Sequence, residues 1–391
     1  MLDVAVKMGL IPFEGGIREV LAAASRREKE GKKVYHLEIG RPDYDSPSEA
    51  KEEVINAVRE GFVHYTPLQG IPELQEVIAQ KEAYHGIKVD PQKQVIVTCG
   101  AVEALMVSFV ALLNPGDEVI IPTPCFSAYS DQVILANAKP VMIPSRLGDA
   151  YNIDLESIEK AITPRTKMII FNSPNNPSGA IIDRESLYGL AELADKHDLY
   201  VISDDCYEDF VFEGRHESIA CLPGMEQRTI LVNSLSKSYS MTGWRIGYII
   251  SHPEIFRYLL KVHQLLSTSA CSFAQRGAVD AIRSGGLLNR AMVKDFKERR
   301  DLVMSYLDQC PGLVCNRPRG AFYVFPSIKG LGISGLDFCN EILEKEGVAL
   351  VPGDVFGGEG HIRIAYTCPR EDLEIAMGKF VSTYRRLLSK V

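Results

Sequence analysis

The densest concentration of reactive side chains lies in the run 234–248, SLSKSYSMTGWRIGY, directly after the apolar stretch TILVN. A lysine at the carboxyl end of a strand sits where open parallel sheets bind ligands. The hydroxyls of Ser234 and Ser236 and the guanidinium of Arg245 are donors suited to a phosphate, which an arginine can grip through two parallel bonds. Gly243 and Gly247 allow the backbone to turn tightly around such a group. A lysine beside serines, taken alone, also reads as a solvated loop. The spacing of the whole run is what sets Lys237 apart.

Other segments carry complementary chemistry. VTCGAVEAL ends a strand and opens a helix, so Gly100 permits close approach and the amides of Ala101 and Val102 face an anion at the helix N-terminus. In ISDDCYEDF, Asp204 follows another strand end and reads either as a buried functional carboxylate or as a helix N-cap or surface acid. Asp205 is expected to fill that plainer role. NSPNNPSG, residues 172–179, has the composition of a turn. HIRIAY sets Arg363 inside an apolar strand pattern, a costly placement unless an anion pairs it. A structural salt bridge would meet the same need.

In their order along the chain these segments resemble the signature of the class I and II aminotransferases, enzymes of the pyridoxal-phosphate fold type I, and the similarity extends over nearly the whole sequence. The resemblance implies that Lys237 holds pyridoxal 5′-phosphate as a Schiff base. The chemistry agrees, because an amine in a desolvated pocket bearing other cations has a lowered pKa and can attack an aldehyde. Once the amino acid displaces it, the freed amine would carry the proton between the substrate's α-carbon and the cofactor's C4′. By the same resemblance Asp204 holds the proton of the pyridine nitrogen, which keeps the ring an electron sink. Tyr207 and Asn176 would donate to the phenolate oxygen, and Phe126 in PTPCFSAY would stack on the ring. Gly100, Ala101, Val102, Ser234, Ser236 and Arg245 would surround the phosphate. Arg363 and the backbone of Gly40 in LEIGRPD would anchor the substrate α-carboxylate beside Asn176. Tyr65 in HYTPLQGIPEL would reach the phosphate of the neighbouring subunit, in a homodimer with shared active sites.

The reaction implied is transfer of an amino group from an L-amino acid to a 2-oxo acid by a ping-pong route. A bacterial aspartate aminotransferase branch carries a lysine at the third position of the phosphate loop to read a side-chain carboxylate, whereas this chain has Val102. The resemblance therefore leaves the donor open. The same fold also hosts lyases and oxidases, which stand as alternatives.

Short β-branched runs bounded by turn residues must position these groups: 94–98, 118–122, 139–143, 167–171, 199–203, 229–233 and 246–250. Helical patterns such as 101–113 and 184–196 separate several of them. Strand–helix–strand units of this kind predict an α/β fold, a large domain whose seven-stranded, mostly parallel sheet is covered on both faces by helices. From about residue 287 the pattern changes to a long charged helix (289–307), a strand near 321–325, a helix near 336–346 and a last helix from Glu371, which predicts a smaller α+β domain. The expected division is an N-terminal arm with part of the small domain (1–45), the large cofactor-binding domain (46–286) and the C-terminal small domain (287–391). A helix over 16–30 is expected to pack on the small domain.

Composition narrows the class. With 391 residues, 46% hydrophobic and 24% charged, the chain has the make-up of a globular enzyme. A net charge of -8 offers no basic surface for nucleic acid or anionic lipid. No long uncharged apolar stretch and no signal-peptide cleavage site are evident, so a cytoplasmic location is expected. The nine cysteines lack metal-ligand spacing to the eight histidines, so no metal is expected and the thiols read as reduced and mostly buried. GLGISG, residues 330–335, fits a dinucleotide-binding pattern, but a nicotinamide-dependent oxidoreductase would leave Lys237, Asn176, Asp204 and Arg245 unexplained. A transcription regulator with an aminotransferase-like sensor would need a winged-helix head, and the segment before LEIGRPD contains no basic recognition helix.

Overall fold

The computed structural model describes residues 5–11, 17–145, 148, 150–284 and 286–390. After a short β1 (Tyr35–His36), the predicted runs form β2 (Val95–Thr98), β3 (Glu118–Thr123), β4 (Lys139–Pro144), β5 (Thr166–Asn172), β6 (Tyr200–Asp204), β7 (Thr229–Ser234) and β8 (Gly247–Ile250). They make one sheet in the order β2-β8-β7-β6-β5-β3-β4. All pairings are parallel except those of β8, which runs antiparallel to both β2 and β7.

Both faces of this sheet are covered, which is why its strands read as continuous apolar runs. On one face Ile96, Ile121, Ile170, Ile202, Val232 and Ile249 pack with Leu105 and Phe109 of the helix Ala101–Leu112 and with Leu259 of the helix Pro253–Leu266. On the other, Ile169, Phe171 and Val201 meet Leu187, Leu190 and Ala194 of the helix Arg184–Lys196. That helix begins where the Asp183 side chain accepts from the Ser186 amide, the usual way an orphan amide of a first turn is satisfied.

The C-terminal portion has its own small sheet, β9 (Tyr323–Val324), β11 (Val351–Pro352) and β12 (Ile362–Ala365) in the order β11-β12-β9, while β10 (Val348–Ala349) pairs with β1. The helices Gly286–Leu307, Gly335–Glu346 and Arg370–Leu388 enclose it, with Phe296, Phe322, Phe338 and Phe380 at the centre. The helix Ile17–Lys29 sets Ala24 against Leu343 and Ala349, as expected of the N-terminal segment; its predicted first residue, Gly16, lies outside the described residues. Residues 330–335 form a short 3-10 turn and a Ser334 cap that leads into the helix Gly335–Glu346. No described helix is long and apolar enough to cross a membrane.

Candidate active site

Parallel register brings the chemistry together. Asn172, the last residue of β5, pairs with Asp204, the last of β6, while β7 ends at Ser234, which pairs with Gly247 of β8. Gly247 also pairs with Thr98 of β2. The loop after β2, the loop after β6 and the lysine segment after β7 therefore open into the same cavity of about 400 Å³.

Of the predicted residues, Gly40, Ala101, Val102, Phe126, Asn176, Asp204, Tyr207, Ser234, Ser236, Lys237, Arg245 and Arg363 all line this cavity. Lys237 stands on a one-turn helix, Leu235–Ser238, capped by Ser234 Oγ, which accepts from the Ser236 amide at 3.0 Å. Its Nζ donates to the Gly40 carbonyl at 2.6 Å. Burial, reinforced by the charges of Arg363 and Arg245, lowers its pKa to about 8.

Asp204 is buried, with neutral partners only: the Tyr129 hydroxyl donates to Oδ2 at 2.6 Å and the Cys206 amide to Oδ1 at 3.2 Å. Burial raises its pKa. A carboxylate so placed is suited to a positively charged N–H donor from a ligand. Tyr207 shares a 2.9 Å hydrogen bond with the Tyr323 hydroxyl. Asn172 holds the asparagine loop in place: its Nδ2 donates to the Asp204 carbonyl at 2.7 Å and its Oδ1 accepts from the Asn176 amide at 2.8 Å.

Arg363 follows from strand alternation. Ile362 and Ile364 point into the C-terminal core, so the residue between them faces the opposite side. Its side chain is 2% exposed. Among the described residues its hydrogen-bond partners are two neutral oxygens, Asn176 Oδ1 at 3.2 Å and the Glu38 carbonyl at 2.5 Å, and its Nε has none. The rings of Tyr323 and Phe356 lie 4.7 and 4.8 Å from the guanidinium carbon. Burying a guanidinium without a carboxylate costs several kcal/mol, which an incoming anion would offset. The structural salt bridge considered as its alternative role is therefore not what holds it.

Gly100, predicted for the site, is not itself among the lining residues but immediately precedes Ala101, which is; it has φ +84° and caps the helix Ala101–Leu112. A Cβ there would collide with the Arg245 guanidinium. Arg245 itself sits in the left-handed region at φ +58° and donates to the carbonyls of Thr242 and Cys99. The start of the helix at Ala101 and Val102, the hydroxyl residues Ser234 and Ser236 and the guanidinium of Arg245 all line the same cavity, residue types that can donate to an anion.

Tyr65, whose expected role lies in a neighbouring subunit, is 88% exposed and is not among the residues lining this chain's own cavity. Other expectations meet a different outcome. Asp205 is neither a helix cap nor a surface acid: it is fully buried, accepts from Ser203 Oγ at 2.6 Å and lies 3.6 Å from His216 Nε2. The chain makes turns rather than a helix after β6, so there is no first turn for it to cap. Four of the nine cysteines are buried, three are half-buried, and Cys221 and Cys271 are exposed, so burial is less general than expected.

Sequence reasoning missed Tyr129, Asn172 and Tyr323. Tyr129 and Asn172 had a usable signal, since both fall inside segments already singled out, whereas Tyr323 lies in an apolar run, AFYVF, that marks nothing but core.

Residues 32–380 match the family model described as aminotransferase class I and II. The chain is 39% identical to an aspartate aminotransferase of Pyrococcus horikoshii, covering 93% of both chains. It is 37% identical to aromatic-amino-acid aminotransferase 2 of Thermococcus litoralis, covering 88% of this chain and 90% of that one. The solved structure of the Thermus thermophilus aspartate aminotransferase with maleate superposes with a TM-score of 0.92 at 35% identity, over 98% of this chain and all of that one.

Proposed function

Because the chain belongs to the class I and II aminotransferase family and is an aminotransferase, we propose that it binds pyridoxal 5′-phosphate on Lys237 and takes amino groups from L-amino acids with uncharged, apolar or aromatic side chains. The observation that carries this reading is a buried Arg363 with neutral partners in the same cavity as a lysine whose pKa is about 8. One group is ready for a carboxylate, the other for a carbonyl.

The residues present fit the cofactor. A Cβ-free cradle at Gly100 with Arg245 packed on it suits a phosphate, and a buried Asp204 without a cationic hydrogen-bond partner suits a protonated ring nitrogen. Phe126, Tyr207 and Asn176 line the space between these ends. When bound, pyridoxal phosphate supplies an electron sink for the charge left as the donor loses its α-proton. Lys237 Nζ would take up that proton and hand it on to the cofactor's C4′ rather than back to the α-carbon. Asp204 stays ionised to hold positive charge at the far end of the site. Arg363 fixes the α-carboxylate, and its attached rings exclude water around it.

The donor reading rests on Ile17, Leu21 and Val102, apolar side chains on the cavity wall, and on the lining cations among the described residues being Lys237, Arg245 and Arg363, each with a role of its own. A side-chain carboxylate would therefore lack a further cationic partner among the described lining residues. A donor screen that follows the spectral change of the loaded enzyme tests this. Phenylalanine or leucine should react at least about 10-fold faster than aspartate. A clear preference for aspartate would reject the apolar reading and point to a cation from a second subunit.

Arg363→Lys should lower kcat/KM for every donor alike, by about 10- to 100-fold, because a fork of donors becomes a point charge. Loss confined to one donor would make Arg363 a reader of side chains instead. We further assign Tyr65 to the partner subunit's phosphate site in a twofold homodimer, a role that its 88% exposure leaves it free to fill. We divide the chain on the same footing into the arm 1–45, the large domain 46–286 and the small domain 287–391; most of the C-terminal apolar cluster falls in 287–391, and Cys206, Tyr207, Phe210 and Phe212 join it from the large domain.

A further inference from the structure

One short helix touches three separate parts of the proposed cofactor site: the carboxylate of Asp204, the ring of Phe126 and the start of the phosphate helix at Val102. In the helix Ala128–Leu135, Tyr129 is fully buried and its hydroxyl donates to Asp204 Oδ2 at 2.6 Å. Its ring meets that of Phe126 edge-on, with centroids 5.7 Å apart and planes at 87°. One turn later, Gln132 Nε2 donates to the Val102 carbonyl at 2.8 Å, which ties the same helix to the start of the phosphate helix.

We infer that Tyr129 is a positioning residue that fixes the Asp204 carboxylate and the Phe126 ring in a single geometry. The inference rests on the pyridoxal-phosphate reading of the site. Asp204 Oδ1 accepts from the Cys206 amide and Oδ2 from Tyr129, so the carboxylate plane is held at both oxygens. The tyrosine's complete burial leaves no solvent to take over the second bond. Burial and the adjacent Asp204 charge both hold the phenol protonated, so it remains a donor at working pH. Groups that orient a functional carboxylate in this way typically change activity by about 10- to 100-fold when removed.

The sign of a pH effect follows. Burial raises the pKa of Asp204, and the Tyr129 hydrogen bond lowers it. Without the hydroxyl, the carboxylate should take up a proton at higher pH. Tyr129→Phe keeps the ring against Phe126 and removes only the donor.

The test uses purified, pyridoxal-phosphate-loaded protein and compares wild type with Tyr129→Phe. The variant should show a half-reaction about 10- to 100-fold slower, an acid limb shifted to higher pH and faster loss of cofactor on dialysis, with donor KM unchanged because Arg363 is untouched. In the Asp204→Asn background, Tyr129→Phe should add little further loss. Should Tyr129→Phe fail to fold, site-specific fluorotyrosine at position 129 strengthens the donor and should move the acid limb down instead. If wild type takes up no cofactor, the pyridoxal-phosphate reading fails. If wild type is loaded and active but Tyr129→Phe matches it in rate, acid limb and cofactor retention, or fluorotyrosine moves nothing, the positioning role is overturned.

Discussion

Lys237→Ala should abolish multiple turnover, with a loss of about 1000-fold or more. The substitution removes the amine that links to the cofactor and the base that moves the α-proton. The fold should survive, because the lysine's recorded bond is a single one to the Gly40 carbonyl at the cavity wall. The phosphate donors around Gly100 and Arg245 remain, so cofactor should still be held without a covalent link. Thermal midpoint and cofactor content report on those two points separately from rate. The wild-type amine also predicts a pH dependence: with its pKa lowered to about 8 by burial and nearby guanidinium charge, covalent capture should rise with pH through about 8, well below an ordinary lysine. A small external amine should restore part of the proton transfer in Lys237→Ala. Near-normal turnover of that variant with no amine added would remove Lys237 from the mechanism.

Asp204→Asn should leave the fold and some cofactor binding but slow α-proton removal by about 100- to 1000-fold, the scale of losing one preorganised electrostatic partner in a dry site. An amide keeps the shape of the carboxylate and loses its charge, so the cost falls on rate rather than on affinity. The Tyr129 hydroxyl and the Cys206 amide can still reach the amide oxygen through one bond at most, since its second terminus is now a donor. Rapid-mixing measurement of the half-reaction gives the number directly. Equal rates in variant and wild type would strip Asp204 of its electrostatic role.

Much of this architecture was legible in the residues. The seven runs that became strands are β-branched and bounded by turn residues, and burial on both faces writes that pattern in all of them but the edge strand β4, which is partly exposed. Arg363 could be singled out because a charge inside an alternating apolar strand violates its surroundings. Asp204 and Asp205 could not be told apart by chemistry in the same way: adjacent acids at a strand end look alike, so only the family resemblance chose between them, and in the structure Asp204 takes Tyr129, distant in sequence, as partner while Asp205 faces His216. Tyr323 was invisible for a similar reason, since its hydroxyl finds Tyr207 across two parts of the chain while its sequence context is plain core. What escaped was the side chain whose polar tip, rather than its type or spacing, decides its role.

The antiparallel strand β8 has a consequence for how the protein is made. It is the last of the seven strands to leave the ribosome, yet it lies between β7 and β2, the first, whose only neighbour in the sheet it is. Until β8 arrives, β2 has an open edge, and such edges invite pairing with other chains. Gly100, Ser234 and Arg245 come into reach of one another only when that gap closes. The binding site is thus a product of the most distant contact in the sheet, and closing it carries the loop entropy of everything between. Cofactor capture should accordingly be a late event in biogenesis, marking completion of the sheet rather than guiding it.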